Sequence, residues 1–588
     1  MTDERNTSSG RKRAILFRLI RYLLRIDGWF LLLAIAVSVV GNLLALTGPY
    51  LSGKAIDLLE AGIGKVDLPA VFDYALLMII CYVVSAVFSY ILSVLMIKIS
   101  QDTVYQMRKE IFEKMAKLPV GWFDRSQTGD ILSRISYDVD TINTSLSSDI
   151  VQIFSSTVTI VGSLAMMISI SPKLSIIFAF TFPLSVVLIR MITSRTKPLF
   201  RARSKKLGEL NGFVEEMITG QRTIKAFNRE DNTIDRLYSF NREATEAYYK
   251  SEYYGRIVGP IVGFINNLAL SLVGVFGALL YLAGSLTVGG ISSFVLYSRK
   301  FAGPVNEIAN IIGDLQSAIS AAERVFRLLD EPGEKEDSIT AKELTEVCGN
   351  VELKNINFSY VEDVEVIKDL SLNVKAGSLV AIVGPTGAGK TTIINLLMRF
   401  YDPQSGTILL DGEPITNITR SSLRRAYSMV LQDTWLFGGT IYENISYGKE
   451  GATKEDVANA CREAGIAQFV EQLPNGYDTV LDDDGSNISK GQKQLLTIAR
   501  AILIDAKLLI LDEATSNVDT RTERRIQQAM RRIMADKTCF VIAHRLSTIQ
   551  NADVILVVRD GKIVETGTHT ELMQKRGFYR EMFEAQFS

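Results

Sequence analysis

The chain has 588 residues, too many for a single core, with 64 basic and 65 acidic side chains and a formal net charge of −1. That balance lends nothing to a nucleic-acid role. Four scattered cysteines (Cys81, Cys348, Cys461, Cys539) form no C-x-x-C pair, which argues against metal ribbons and thioredoxin chemistry and predicts unpaired thiols in a reducing compartment.

Residues 1–28 are polar and then basic, with Arg11, Arg18, Arg21 and Arg25 ahead of the first apolar run. That run is too long for the core of a cleavable signal peptide. A membrane-spanning helix needs about 20 largely apolar residues. Six stretches meet that length: Trp29–Leu51, Tyr74–Ile97, Ile150–Ile170, Leu174–Thr193, Ile257–Ala283 and Ile291–Ile312. The sixth is interrupted by Arg299, Lys300 and Glu307. Residues 29–330 therefore read as an all-α transmembrane domain with six helices. The connections 98–149 and 194–256 are long and basic, whereas Ser171-Pro172-Lys173 and 284–290 are tight turns. The positive-inside rule places both long connections, both termini and the C-terminal part in the cytoplasm.

Helical periodicity runs through both long connections, so the membrane helices are expected to continue into the cytoplasm. Breaks near Pro119–Gly121, Ser126–Gly129 and Thr219–Gly220 leave two short segments, Phe123–Asp130 and Thr219–Glu230. These are either contact surfaces for the soluble part or plain hairpin tips. Polar residues in the spans (Asn42, Asn266, Asn267, Arg299, Lys300) must face a partner helix or a wet cavity, because lipid leaves them unsatisfied. Arg299 and Lys300 fall about halfway across, and either line a substrate cavity or make structural pairings.

A linker, 331–349, leads into an α/β domain, 350–588. Alternation over Val351–Tyr360 predicts a strand of an edge sheet, with Tyr360 a candidate for stacking on a purine. The apolar run Leu379–Val383 and a helical stretch from Ile393 bracket Gly384-Pro385-Thr386-Gly387-Ala388-Gly389-Lys390-Thr391-Thr392. This fits G-x-x-x-x-G-K-[ST] in the strand–loop–helix setting it requires. Backbone N–H groups of such a loop enclose phosphate oxygens, Lys390 reaches the β and γ phosphates, and Thr391 suits Mg²⁺.

Gln432 follows the strand Tyr427–Leu431, within reach of metal and attacking water; Trp435 and Phe437 follow in a loop, either to dock a hairpin tip or to pack in the core. Leu508–Leu511 is a buried parallel strand ending in Asp512-Glu513. Asp512 suits Mg²⁺, and Glu513 suits the role of base toward water. His544, one of two histidines, ends the strand Thr538–Ala543, where open α/β sheets bind ligands.

With these motifs and Ser489-Lys490-Gly491-Gln492 ahead of a helix, nearly the whole chain resembles the ATP-binding cassette (ABC) exporters. It looks like a half-transporter of the type IV exporter fold. The resemblance implies a dimer that closes around two ATP molecules, each between one chain's P-loop (Gly384, Thr386, Gly387, Gly389, Lys390, Thr391, Thr392) and the other's signature (Ser489, Gly491, Gln492). It implies Tyr360 as the adenine-stacking ring, Gln432 as the Q-loop residue, and Glu513 and His544 as base and switch. Asp519 becomes the D-loop acid, and the two short cytoplasmic segments become coupling helices.

The signature departs from Leu-Ser-Gly-Gly-Gln at Ile488 and Lys490, an acidic run Asp482-Asp483-Asp484 precedes it, and Ser516-Asn517-Val518-Asp519 replaces Ser-Ala-Leu-Asp. The pattern resembles the catalytic-glutamate-bearing subunit of bacterial heterodimeric multidrug exporters. The expected function is ATP-driven export of amphipathic drugs or lipids, with ATP and Mg²⁺ bound and a second half-transporter as partner. A homodimeric flippase and an ATP-gated channel or sensor on the same scaffold are the alternatives.

Overall fold

The computed structural model describes residues 3–60, 62, 65–361, 364–431, 434–482, 485, 487–512, 520–543 and 549–587. The chain divides into two compact units, 1–116 with 128–331, and 117–127 with 332–588.

The first unit is helical. α1 (Asp3–Leu59) kinks at Asp27, whose φ of −133° and ψ of 39° separate the basic segment from the apolar one. α2 (Leu68–Met115) starts under an Asp67 cap whose carboxylate accepts from the Ala70 N–H. α3 (Val120–Arg125) belongs to the second unit. α4 runs over Thr128–Ile170, loosened by π turns at Arg134–Asp138 and Ser145–Asp149. α5 (Pro172–Thr219), α6 (Gln221–Ala226), α7 (Glu230–Gly255), α8 (Val258–Leu282) and α9 (Val288–Asp330) follow. α2 and α5 have 48 residues each, about 72 Å of helix against a hydrocarbon core of about 30 Å, so both extend well past a bilayer.

Among the described residues five helical stretches are long and apolar enough to cross a membrane: Ala14–Leu59, Leu68–Met115, Thr128–Ile170, Pro172–Thr219 and Glu230–Leu282. α9 falls outside that set. Its place in the bundle gives the reason: Phe294, Tyr297 and Phe301 pack among Leu46, Met167, Leu174, Phe178, Ala269 and Val273, drawn from α1, α4, α5 and α8. A helix surrounded by other helices presents less of itself to lipid and tolerates polar residues.

The second unit is built on strands β1 (Val351–Ser359), β2 (Glu365–Val374), β3 (Leu379–Val383), β4 (Ser405–Leu410), β5 (Glu413–Pro414), β6 (Tyr427–Val430), β7 (Gly439–Thr440), β8 (Val480–Leu481), β9 (Leu508–Asp512), β10 (Thr538–Ile542), β11 (Val554–Arg559) and β12 (Lys562–Gly567). The main sheet has order β12-β11-β3-β10-β9-β6, parallel except at its β12 edge. A second, antiparallel sheet has order β2-β1-β4-β5, with β1 between β2 and β4. The parallel strands are apolar runs because both faces are covered: every residue of β10 is buried.

The short segments differ from their expected extents. The first helix is Val120–Arg125, earlier than Phe123–Asp130, because Pro119 caps its start and extended Ser126 (φ −107°, ψ 135°) ends it; Gly129 and Asp130 already belong to α4. The second is Gln221–Ala226, with no side chain buried. The linker is tied down. Arg420 donates to Asp337 Oδ1 at 2.7 Å and to the Lys335 carbonyl at 2.7 Å, and Arg424 pairs with Glu334. All four cysteines are free.

Candidate functional site

The ends of β3, β9 and β10 converge with the helix Lys390–Leu397 on one edge of the parallel sheet, where α/β folds bind ligands. Gly389 has φ +101°, and a Cβ there would come within 2.8 Å of Ile367 Cδ1, so the turn needs glycine. Lys390 Nζ donates to the carbonyls of Gly384 (2.7 Å) and Pro385 (3.0 Å). Burial lowers the Lys390 pKa, and the Asp512 carboxylate at the end of β9 partly offsets that. Phosphate oxygens bond an ammonium more strongly than neutral carbonyls do, so Lys390 gains by exchanging these partners for a triphosphate. Thr391 is exposed at the helix start and Thr392 is buried.

Thr392 receives a hydrogen bond that sequence reasoning did not find. The Tyr360 hydroxyl donates to Thr392 Oγ1 at 3.2 Å and accepts from Asn395 Nδ2 at 3.1 Å. The Tyr360 ring is 40% exposed, held edge-on by Phe358 (4.8 Å, 87°) and Tyr401 (5.0 Å, 88°). Tyr401 in turn donates to Asp124 Oδ2 on α3 at 2.5 Å. Burial first, then Asp124, raises the Tyr401 pKa, so the phenol keeps its proton. A Cβ at Gly121 would come within 2.7 Å of Tyr401 Cε1, which is why α3 can sit so close. The spacing between Asp124 and Tyr401 carries no local signal that could have revealed the pair.

The segment Ser489–Gln492 opens the helix Lys490–Ile504. Ser489 and Gln492 form a capping box: Ser489 Oγ accepts from the Gln492 N–H (3.3 Å), and Gln492 Oε1 accepts from the Ser489 N–H (2.9 Å). Gly491 is buried and Lys490 is exposed at the first helical position. A cation there opposes the helix dipole by about 0.3–1 kcal/mol. Among the described residues no hydrogen bond or ion pair joins Ser489, Gly491 or Gln492 to Lys390, Thr391 or Thr392. Trp435 is 62% exposed, and Phe437 packs against Tyr447 at 4.7 Å beside Arg500. Gln432, Glu513, Asp519 and His544 lie outside the described residues, as do Asp483, Asp484 and the stretch 516–518.

In the first unit the intramembrane polar groups are mostly partnered. Asn42 donates to the Ser38 carbonyl at 2.8 Å and accepts from Thr159 Oγ1 at 3.2 Å. Pro49 inside α1 has no N–H, which leaves the Ala45 carbonyl without its helical donor. Lys300 Nζ fills that place at 2.8 Å, while Tyr297 and Ser293 bond the carbonyls of Leu46 (2.5 Å) and Pro49 (2.8 Å). Glu307 accepts from Gln152 Nε2 at 2.5 Å. Arg299 is exposed.

Known proteins share this architecture across both units. Residues 31–305 match the ABC transporter transmembrane region and residues 367–516 match the ABC transporter family. The chain is 41% identical to an uncharacterized ABC transporter ATP-binding protein, YfiC, of Bacillus subtilis (strain 168), over 98% of this chain and 94% of that one. The chain belongs to the ABC transporters. This transporter is also 45% identical to a fatty acid ABC transporter ATP-binding/permease protein of Mycobacterium bovis, over 88% of this chain and 82% of the relative. Its structure superposes on that of a bacterial Atm1-family ABC exporter with ATP bound (TM-score 0.79, 30% identity, covering 96% and 99% of the two chains). It is therefore an exporter half-transporter: a multi-pass membrane protein whose helical domain precedes an ATP-binding domain, with ATP hydrolysis coupled to transport. Half-transporters of this kind function as dimers.

Proposed function

We propose that this chain is the hydrolysing half of a heterodimeric exporter of amphipathic lipids, with both termini and the nucleotide unit in the cytoplasm. One observation supports the heterodimer: within one polypeptide the P-loop half-site keeps its full residue set, while the exposed helix start meant for a partner's nucleotide carries Lys490 instead of glycine. In a homodimer both sites would bear that change. In a heterodimer it affects only the site built on the partner's P-loop. The lipid assignment draws on the phenylalanine-lined space between α5, α8 and α9 and on the name of the mycobacterial relative.

In this reading Tyr360 stacks on adenine, Lys390 holds the β and γ phosphates, and Gly384, Thr386, Gly387, Gly389 and Thr392 shape the loop around them. Thr391, Asp512 and Gln432 offer the hard oxygen ligands that suit Mg²⁺, whose chemistry is to neutralise the phosphates. Glu513 orients the attacking water and takes its proton, and His544 bonds the γ-phosphate and steadies Glu513. Asp519 meets the partner across the interface, while Ser489, Gly491 and Gln492 meet the partner's ATP. Docking through α3, and through exposed α6 to the partner, carries cassette closure into the helices.

The test is to purify the chain alone and with a half-transporter of standard signature. Hydrolysis and transport should be strong only in the pair, and Lys490→Gly should raise the activity of the lone chain. Full transport by the unmodified lone chain would overturn the heterodimer and leave a homodimeric flippase.

A further inference from the structure

The lipid reading leaves open what kind of headgroup the cavity accepts, and Arg299 bears on that. The residue lies eleven positions after Val288, where α9 begins, which is about 16 Å along the helix and close to the middle of a bilayer core of about 30 Å. Snorkelling relieves charges near helix ends, not at this depth. Its neighbour Lys300 is consumed by the Ala45 carbonyl that Pro49 orphans. Glu307, the next acid along the same helix, is engaged with Gln152. Among the described residues Arg299 has no hydrogen bond, ion pair or ring contact, and it is exposed. A guanidinium stays charged wherever it is placed. An unpaired one at mid-bilayer is costly, and the usual relief is an anion that arrives as part of function.

A second observation stands beside it. Phe178, Phe182 and Phe301, with Thr181, Ser185 and Asn266, line a narrow cleft of about 20 Å³ that opens to the surroundings. Phe301 meets the other two rings edge-on at 5.9 and 5.5 Å. Ala302 also lines this space, and three residues along a helix place it about 60° from Arg299 around the axis. One stretch of α9 therefore offers a free cation on one side and an apolar pocket on the next, which is the complement of an amphiphile with a negative head.

We infer that Arg299 binds the headgroup of the transported amphiphile and selects a single-charged carboxylate, with the acyl chain lodged against Phe178, Phe182 and Phe301. This rests on the lipid-export reading. A planar guanidinium matches a carboxylate through two parallel hydrogen bonds. One guanidinium balances one charge, whereas a phosphate monoester carries about two, so a carboxylate fits better than a phosphate.

The experiment uses the full chain with its partner half in nanodiscs of neutral phosphatidylcholine. ATPase stimulation is titrated with palmitate, hexadecyl phosphate, hexadecanol and hexadecylamine. Palmitate should act at a concentration about tenfold or more below hexadecanol, the value of a charge-assisted hydrogen bond of about 1.5 kcal/mol, and below hexadecyl phosphate. Arg299→Ala should erase the palmitate preference, Arg299→Lys should keep part of it, and Arg299→Glu should turn it toward hexadecylamine. That reversal cannot come from misfolding. Phe182→Ala should weaken palmitate without changing the headgroup order. Equal potency of palmitate and hexadecanol, or a palmitate preference that survives in Arg299→Glu, overturns the headgroup site while lipid export stands; a stronger effect of hexadecyl phosphate overturns the carboxylate assignment. If none of the four amphiphiles alters hydrolysis, the lipid reading itself falls and this inference with it.

Discussion

The two units of this transporter use apolar side chains in opposite ways. In the nucleotide unit they point inward: β3 and β10 are nearly or wholly buried, and the sheet's cores enclose them. In the helical unit they point outward. Only 11% of the most apolar window of Leu68–Met115 is buried, and Trp29, Phe180 and Leu282 are 77%, 75% and 79% exposed. The same residue types thus fill a core in water and form a surface in lipid. The polar groups invert too. In the nucleotide unit the candidate site lies where strands end and a helix starts. In the helical unit it sits mid-helix, where a charge is tolerated only when something answers it, as Ala45 answers Lys300.

That contrast suggests where substitutions should hurt. The largest effect is expected at the strand end: Glu513→Gln should lower the ATPase turnover about 10²–10⁴-fold, the range for losing a general base, with ATP binding retained. Retained turnover would remove Glu513 from its role. The next concerns the linker. Arg420 is buried against Asp337, so Arg420→Ala should cost about 3 kcal/mol by removing the charge-assisted hydrogen bond to Asp337 and the bond to the Lys335 carbonyl. Hydrogen exchange over residues 331–349 should then speed up about 100-fold. Unchanged exchange would mean the linker is held by something else.

A smaller effect is expected where α3 meets Tyr401. Asp124→Ala removes a hydrogen bond to a charged acceptor, about 1.5–3 kcal/mol, and should lower substrate moved per ATP severalfold while ATP affinity stays the same. Equal coupling in the variant would make the contact mere packing. The smallest is a pH effect. Burial opposes ionisation of Asp411, but N–H groups of Asn350, Gly349 and Cys348 outweigh it and hold the carboxyl below its usual range. A depressed folded pKa adds stability above the unfolded value of about 3.9, and that stability is lost as pH falls through the folded value. Asp411→Asn should therefore flatten the acid limb of the stability curve, and an unchanged limb would contradict it.

Much of this was legible because it is written locally. A P-loop between a buried strand and a helix is nine consecutive residues, and a span is a run of apolar ones. The sixth stretch reads as an apolar run weakened by its interruptions, and the sequence does not say that Arg299 and Lys300 part ways. That depends on Pro49, some 250 positions earlier, exposing a carbonyl to one of them. The pairs Asp124–Tyr401 and Asp337–Arg420 are likewise invisible in sequence, since neither partner announces the other across the intervening chain. The start of α3 was misplaced because Gly121, read as a breaker, is instead the close-approach residue beneath Tyr401.

The central claim is that hydrolysis in the second unit drives an amphiphile through the helices of the first. Sealed proteoliposomes holding the chain and its partner half, loaded with ATP on the cassette side, test it by following radiolabelled palmitate against its gradient. The account predicts uphill accumulation that requires ATP and disappears in Glu513→Gln. Vigorous ATP hydrolysis with palmitate and other amphiphiles moving no faster than in protein-free vesicles would contradict it.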